Sequence, residues 1–198
     1  MADTTLLDGG FTAPVFQTQA AFRLVMDAMA QPGRIVDLGH AVQPPPPLHL
    51  AAAAFLAALA DYDTPVWFED SGADTAASWL TFHTGATVTK DPATASFAVL
   101  SKNSPVSGWR NFAMGALSYP DRSATLLLPV ESLRDGTPLT IRGPGIETAA
   151  TIAPRGLPDG FTETMAINAA RFPLGFDLLM TCGSELLALP RTTRPVEA

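Results

Sequence analysis

Residues 48–68 read LHLAAAAFLAALADYDTPVWF. In the first part, Leu48, Ala52, Phe55, Leu56 and Leu59 share one helical face. The remaining positions are mostly alanine, so this helix is expected to be buried nearly all round. The aspartates and the Thr-Pro pair of DYDTP then break the helical period. Val66–Phe68 follows as a short strand of β-branched and aromatic residues. A buried helix handing over to a strand through a polar turn is a unit of α/β architecture.

The same alternation extends on both sides. A helix is expected from Val15, with Phe22, Val25, Met26 and Met29 as its buried stripe. Arg23 and Asp27 fall on the opposite side, spaced to pair. Pro32-Gly33 stops this helix, and Ile35–Leu38 is a strand. Pro44–Pro47 forces an extended connection. Asp74 is placed to cap a helix to about His83, with Gly85 just past its end. Strands are predicted at 96–100 and 124–130, with one helical turn near Trp109–Phe112 and otherwise loop across 101–123. Further strands are predicted at 139–142 and 146–152, and a helix at 162–170 is closed by Pro173. A hairpin of 176–181 and 185–189 turns around Cys182-Gly183-Ser184. Residues 1–14 read as an irregular arm. The pattern predicts a mixed sheet with helices packed on it, in one domain spanning 1–198, since the chain has no repeat and no break in composition.

Composition narrows the class. The chain has 198 residues, 47% apolar and 16% charged, which is a globular balance. Its net charge is -7, with ten arginines but only Lys90 and Lys102 as lysines. No basic cluster stands out, so nucleic acid is not an expected partner. Cys182 is the single cysteine, which leaves no internal disulfide and no cysteine-rich metal site. The N-terminus lacks the basic and apolar regions of a signal peptide. The most apolar stretch, Leu48–Ala60, falls short of the about 20 residues of a membrane span. A cytoplasmic protein with no membrane partner is expected.

Motifs for chemistry are weak. DYDTP resembles the D-x-D-x-T opening of aspartyl-phosphate phosphatases, with its threonine one place early, but that chemistry places the motif after a buried strand. Here a helix precedes it, and a turn shaped by Asp61 and Asp63 is the favoured reading. LTIRGPGIE (139–147) offers an arginine beside glycines, as a phosphate cradle does. Pro144 has no N–H to give, and a type II turn between two strands fits better. Arg142 beside it still has the option of meeting an anion. His83 suits a helix end, while His40 and His49 flank the proline run at the surface. No metal-ligand spacing is present, and Cys182 reads as an inert thiol. In PRTTRP (190–195), Arg191 and Arg194 with the threonines can hold an anion, pair with a protein surface or lie in solvent. No residue is singled out as catalytic and none as a metal ligand.

Seven segments carry a resemblance: QAAFRLVMDAMAQPG (19–33), LADYDTPVWF (59–68), FHTG (82–85), YPDRSATLLL (119–128), LTIRGPGI (139–146), RFPLGFDLLMTCG (171–183) and LALPRTTR (187–194). Their order and spacing resemble the PhnH family, a subunit of the bacterial carbon–phosphorus lyase core complex. The likeness covers nearly the whole chain and is weakest at 101–118. It implies a role in phosphonate catabolism, in ATP-dependent formation of ribose 1-phosphonate 5-triphosphate with release of adenine. The implied activity belongs to a complex, ribose 1-methylphosphonate 5-triphosphate synthase, a transferase. The implied fold is a three-layer α/β/α sandwich with a mixed sheet, like pyridoxal-phosphate-dependent transferases but without the cofactor. The implied partners are the other subunits of the complex, and a second copy when isolated.

The residues agree with a chain that carries no cofactor. Lys90 and Lys102 sit in polar TKDP and SKNS stretches, unlike the buried amine of a Schiff base. One cysteine cannot hold an iron–sulfur cluster. Two functions follow as expectations: an accessory, structural subunit, or a phosphonate- or nucleotide-binding subunit, catalytic or not, that holds its ligand near Arg142, Asp177 or Arg191.

Overall fold

The computed structural model describes residues 8–196; the first half of the expected irregular arm lies outside them. Within them, the arm is tied down. The Asp8 carbonyl accepts from the Trp79 indole N–H at 2.9 Å, and Gln43 N–H donates to the Gly9 carbonyl at 2.7 Å.

Proline in its first turn opens helix α1 (Pro14–Ala30). Its buried face is Ala21, Val25 and Ala28, and Met29 is partly buried. Phe22 and Met26, expected inside, are 45% and 49% exposed. Nearly every residue from Ala21 to Ala30 is apolar except Arg23 and Asp27, so the period allowed several faces. The alanine face went inward, against the alanines of the next helix, where small side chains let the helices approach closely. Arg23 and Asp27 lie exposed and make no ion pair among the described residues.

Strand β1 (Ile35–Asp37) leads to α2 (Leu50–Leu59), in which Ala51 through Leu56 are all buried, as the alanine run implies. Then come β2 (Val66–Phe68), α3 (Asp74–Thr84) and β3 (Phe97–Val99). Ala73, not Asp74, takes the N-cap position of α3, with no side-chain cap. Asp74 stands in the first turn, where a carboxylate favours the helix dipole. Gly85 ends α3 at φ 77°, a left-handed position open to glycine.

The loop expected across 101–123 contains structure. A 3-10 turn at Val106–Asn111 is followed by a hairpin of β4 (Met114–Ala116) and β5 (Tyr119–Ser123). Beyond it lie β6 (Thr125–Pro129), β7 (Leu139–Arg142), β8 (Ala150–Ile152), α4 (Phe161–Ala170), β9 (Asp177–Cys182), β10 (Glu185–Leu189) and β11 (Arg194–Val196). β11 was not foreseen; it pairs with β7 and turns the expected polar tail into a strand.

The main sheet has six strands in the order β1-β10-β9-β6-β3-β2. β2, β3, β6 and β9 are parallel; β10 pairs antiparallel with β9, and β1 antiparallel with β10. Its register aligns Phe68, Val99, Leu127, Leu179 and Ala188 in one row across the sheet, and this row packs with α1, α2 and α3. The neighbouring row, Trp67, Ala98, Leu126, Leu178 and Leu189, points to the other face. That face is covered by α4, the 3-10 turn and the small antiparallel sheet β11-β7-β8. The chain is therefore a mixed α/β protein whose central sheet is buried on both sides.

Candidate functional site

Asp177 opens β9 and Arg191 follows the end of its partner β10, so the hairpin brings them together. The guanidinium grips the carboxylate with two bonds, Nη2 to Oδ2 at 2.5 Å and Nε to Oδ1 at 3.2 Å. Arg191 N–H also donates to Oδ1 at 2.8 Å, and Nη1 donates to the Pro120 carbonyl at 2.6 Å. Side-chain exposure is only 15% for Arg191 and 13% for Asp177. The pair thus joins the β9-β10 hairpin to the β4-β5 hairpin, and its donors are spent on the chain itself. A ligand would have to displace these partners.

Arg142 is placed elsewhere. It ends β7, exposed, and lies opposite Arg194 in the β7-β11 register. Neither makes an ion pair among the described residues. Beyond it, Gly143-Pro144-Gly145-Ile146 closes with Ile146 N–H on the Gly143 carbonyl, and Gly145 has φ 83°. Proline second and a positive-φ glycine third make a type II turn, as expected. The structure brings Asp177 and Arg191 together and leaves Arg142 apart from them.

The other motif residues serve turns. Asp61 Oδ1 accepts from Asp63 N–H at 2.9 Å and from the Thr64 hydroxyl at 3.0 Å, which closes the α2–β2 connection. This turn stands at the start of β2, whereas a nucleophilic Asp would need the carboxyl end of a strand. His83 contacts the Asp8 carbonyl at 3.3 Å and packs at a tilt against Trp79 with centroids 4.8 Å apart. Cys182 is half-buried, its thiol on the Glu131 carbonyl. Among the described residues, no three His, Cys, Asp or Glu side chains cluster to hold a metal.

The carboxyl ends of β2, β3 and β6 are where open α/β sheets usually receive ligands. Glu69, just past β2, accepts from Ser101 N–H, the Ser101 hydroxyl and the Ser104 hydroxyl, at 2.8–3.1 Å. Ser104 in turn accepts from the Trp109 indole at 3.0 Å. A cavity of about 270 Å³ lies beside this network, with His49, Asp70 and Lys102 on its edge. Burial, then the nearby Lys102 charge, lowers the His49 pKa below its ordinary value.

A second cavity, of about 290 Å³, lies between α4 and the 3-10 turn, edged by Arg110 and Arg171. Neither arginine drew attention in the sequence. They are 61 positions apart, one in a stretch with no legible period and one just past a helix. No local spacing could have paired them. No described helix is long and apolar enough to cross a membrane.

By fold and site, this is a mixed α/β protein whose paired strand-end charges hold the chain together, with an arginine-edged cavity on one face of its sheet. The chain belongs to the PhnH family: the family described as "Bacterial phosphonate metabolism protein (PhnH)" matches residues 9–196. It is 45% identical over 194 residues to the subunit PhnH of alpha-D-ribose 1-methylphosphonate 5-triphosphate synthase from Rhizobium meliloti (strain 1021), covering 98% of this chain and 97% of that one. It is also 35% identical over 80 residues to the putative C-P lyase subunit protein HtxG of Stutzerimonas stutzeri, covering 40% of this chain and 41% of that one.

Proposed function

We propose that this chain is the PhnH subunit of a carbon–phosphorus lyase core complex. In that role it supports ATP-dependent formation of ribose 1-phosphonate 5-triphosphate, with adenine released, as an accessory subunit and not a catalyst alone. The observation that carries this reading is 45% identity along 98% of the chain to a subunit of that synthase. The Asp177–Arg191 clamp supports the accessory role, because the most built-up charged group at the strand ends is consumed by structure. The reading makes the other subunits of the complex its partners and places the chain in the cytoplasm, as a single domain that forms a homodimer when isolated. It also takes the covers on both faces of the sheet as the outer layers of a three-layer sandwich akin to the pyridoxal-phosphate transferases.

The second reading is a subunit that binds a nucleotide or phosphonate near Arg142, Asp177 or Arg191. The exposed Arg142 beside Arg194 favours it, and the saturated Arg191 disfavours it. Co-expression with the presumed partner subunits, followed by pull-down and an adenine-release assay, tests the proposal. Co-purification and loss of adenine release when this chain is left out are expected. Full release without it would overturn the accessory role.

A further inference from the structure

We propose that the cavity between α4 and the 3-10 turn at Val106–Asn111 binds a phosphorus oxyanion carried on an apolar substituent. The inference rests on the family reading above and adds a site to it. The charge distribution comes first. The chain carries -7 overall, yet this cavity is lined by two arginines and by no carboxylate. Arg134, Arg155 and Arg191 are each committed to an acidic partner. Arg110 and Arg171 make no ion pair among the described residues, and both face the same space. Two forked guanidiniums match a dianion with three oxygens, since a carboxylate can fill only one fork well.

The rest of the lining selects what the oxyanion is attached to. Met114, Ile167 and Phe176 form an apolar wall, and Ser107, Thr164 and Asn168 are the small polar residues beside it. The volume of about 290 Å³ is at the low end of small-molecule sites. A tetrahedral head with an apolar stub fills such a space, with the head at the arginines and the stub on Phe176.

The wall is held in place before any ligand arrives. Asn168 of α4 is 3% exposed, and its amide grips both backbone groups of Phe176: Nδ2 donates to the carbonyl at 2.9 Å and Oδ1 accepts the N–H at 3.0 Å. Gly175 has φ 126°, and a side chain there would meet Asn168 Oδ1 at 2.7 Å. Position 175 therefore has to be glycine for α4 to lock onto β9. The apolar wall is therefore rigid, which limits the ordering cost of that side of the site.

The test is calorimetric titration of the purified full chain with phenylphosphonate, phenyl phosphate, inorganic phosphate and benzoate. The two phenyl-bearing phosphorus anions are expected to bind at least about tenfold more tightly than phosphate or benzoate. Which of the two is tighter identifies phosphonate or phosphate ester as the source. Arg110→Gln and Arg171→Gln are each expected to weaken binding about tenfold or more, because each removes charge-assisted hydrogen bonds. Ile167→Glu, at a half-exposed position, places a carboxylate inside the cavity and is expected to abolish binding without unfolding the chain. No binding by any probe, equal binding of phosphate or benzoate, or indifference to all three substitutions overturns the proposal. The family reading fails separately, through the adenine-release assay: a chain that binds no probe yet is needed for release refutes only the site.

Discussion

Against the face carrying Val99, Leu127 and Leu179, the central sheet meets α1–α3 through many alanines, Ala28, Ala51 to Ala54 and Ala76, set around Phe55, Leu56, Trp79 and Leu80. Against the face carrying Leu126, Leu178 and Met180, it meets Trp109, Phe112, Phe161 and Phe176. Trp109 packs edge-on to Phe161 and Phe176, with centroids 6.3 and 5.8 Å apart. Small side chains bring helices close and leave little space between them. Large rings from separate short segments cannot tile a surface as evenly, and the cavity edged by Arg110 and Arg171 lies among them. The same sheet thus has one face packed on helices rich in small side chains and another covered by large rings, with the arginine-edged cavity on the second.

The contrast can be broken by mutation, most forcefully on the aromatic face. Trp109→Ala removes a ring that is 1% exposed and the donor to Ser104, and should cost about 3–5 kcal/mol of stability. Urea denaturation measures it; a loss below about 1 kcal/mol would mean that this face does not depend on its rings. Asp177→Asn should cost about 2–3 kcal/mol, because Arg191 keeps its charge in a poorly solvated site without its partner. A double-mutant cycle with Arg191→Gln should recover part of that loss, and strict additivity would deny the coupling.

On the alanine face the expected failure is of the opposite kind. Ala53→Leu, at a fully buried position of α2, should cost about 1–3 kcal/mol through overpacking. A neutral or stabilising result in the same urea series would reveal slack where tight closure is argued. A smaller effect concerns pH at the edge of this layer. His49 has a lowered folded pKa, so the unfolded chain takes up its proton more readily. Its contribution to stability is intact above the ordinary value of 6.5 and is lost as pH falls below it toward the folded pKa. Tm should therefore fall less between pH 7 and 5 in His49→Gln than in the unmodified chain; parallel curves would remove His49 from the account. Smallest of all, Glu131→Gln breaks a pair with Arg155 whose side chains are more than half exposed, and should change stability by less than about 0.5 kcal/mol in urea.

Legibility followed locality. The alanine run of α2, the strand at Val66–Phe68, the left-handed Gly85, the type II turn at Pro144-Gly145 and the hairpin around Gly183 were all readable, because each is set by neighbouring residues. The inward face of α1 was misjudged, since its apolar arc is broad and only the partner helix selects the part that is buried. The β4-β5 hairpin and β11 were missed, because short exposed strands such as Tyr119–Ser123 carry little hydrophobic alternation. At the candidate site, Asp177 and Arg191 were legible as polar groups at strand ends, but not as partners of each other. Arg110 and Arg171 had no signal at all.

The sequence by itself determined the mixed α/β class, most helices and core strands, and the ordered segments that mark the family. These depend on periods and turns a few residues long, where local sterics and burial leave few alternatives. Tertiary structure alone decided which arginines are consumed and which stay open: Arg191 is closed by a carboxylate 14 positions away, while Arg110 and Arg171 come together from 61 positions apart. Charge acts through space over a few ångströms, and only the folded chain sets which charges are that close.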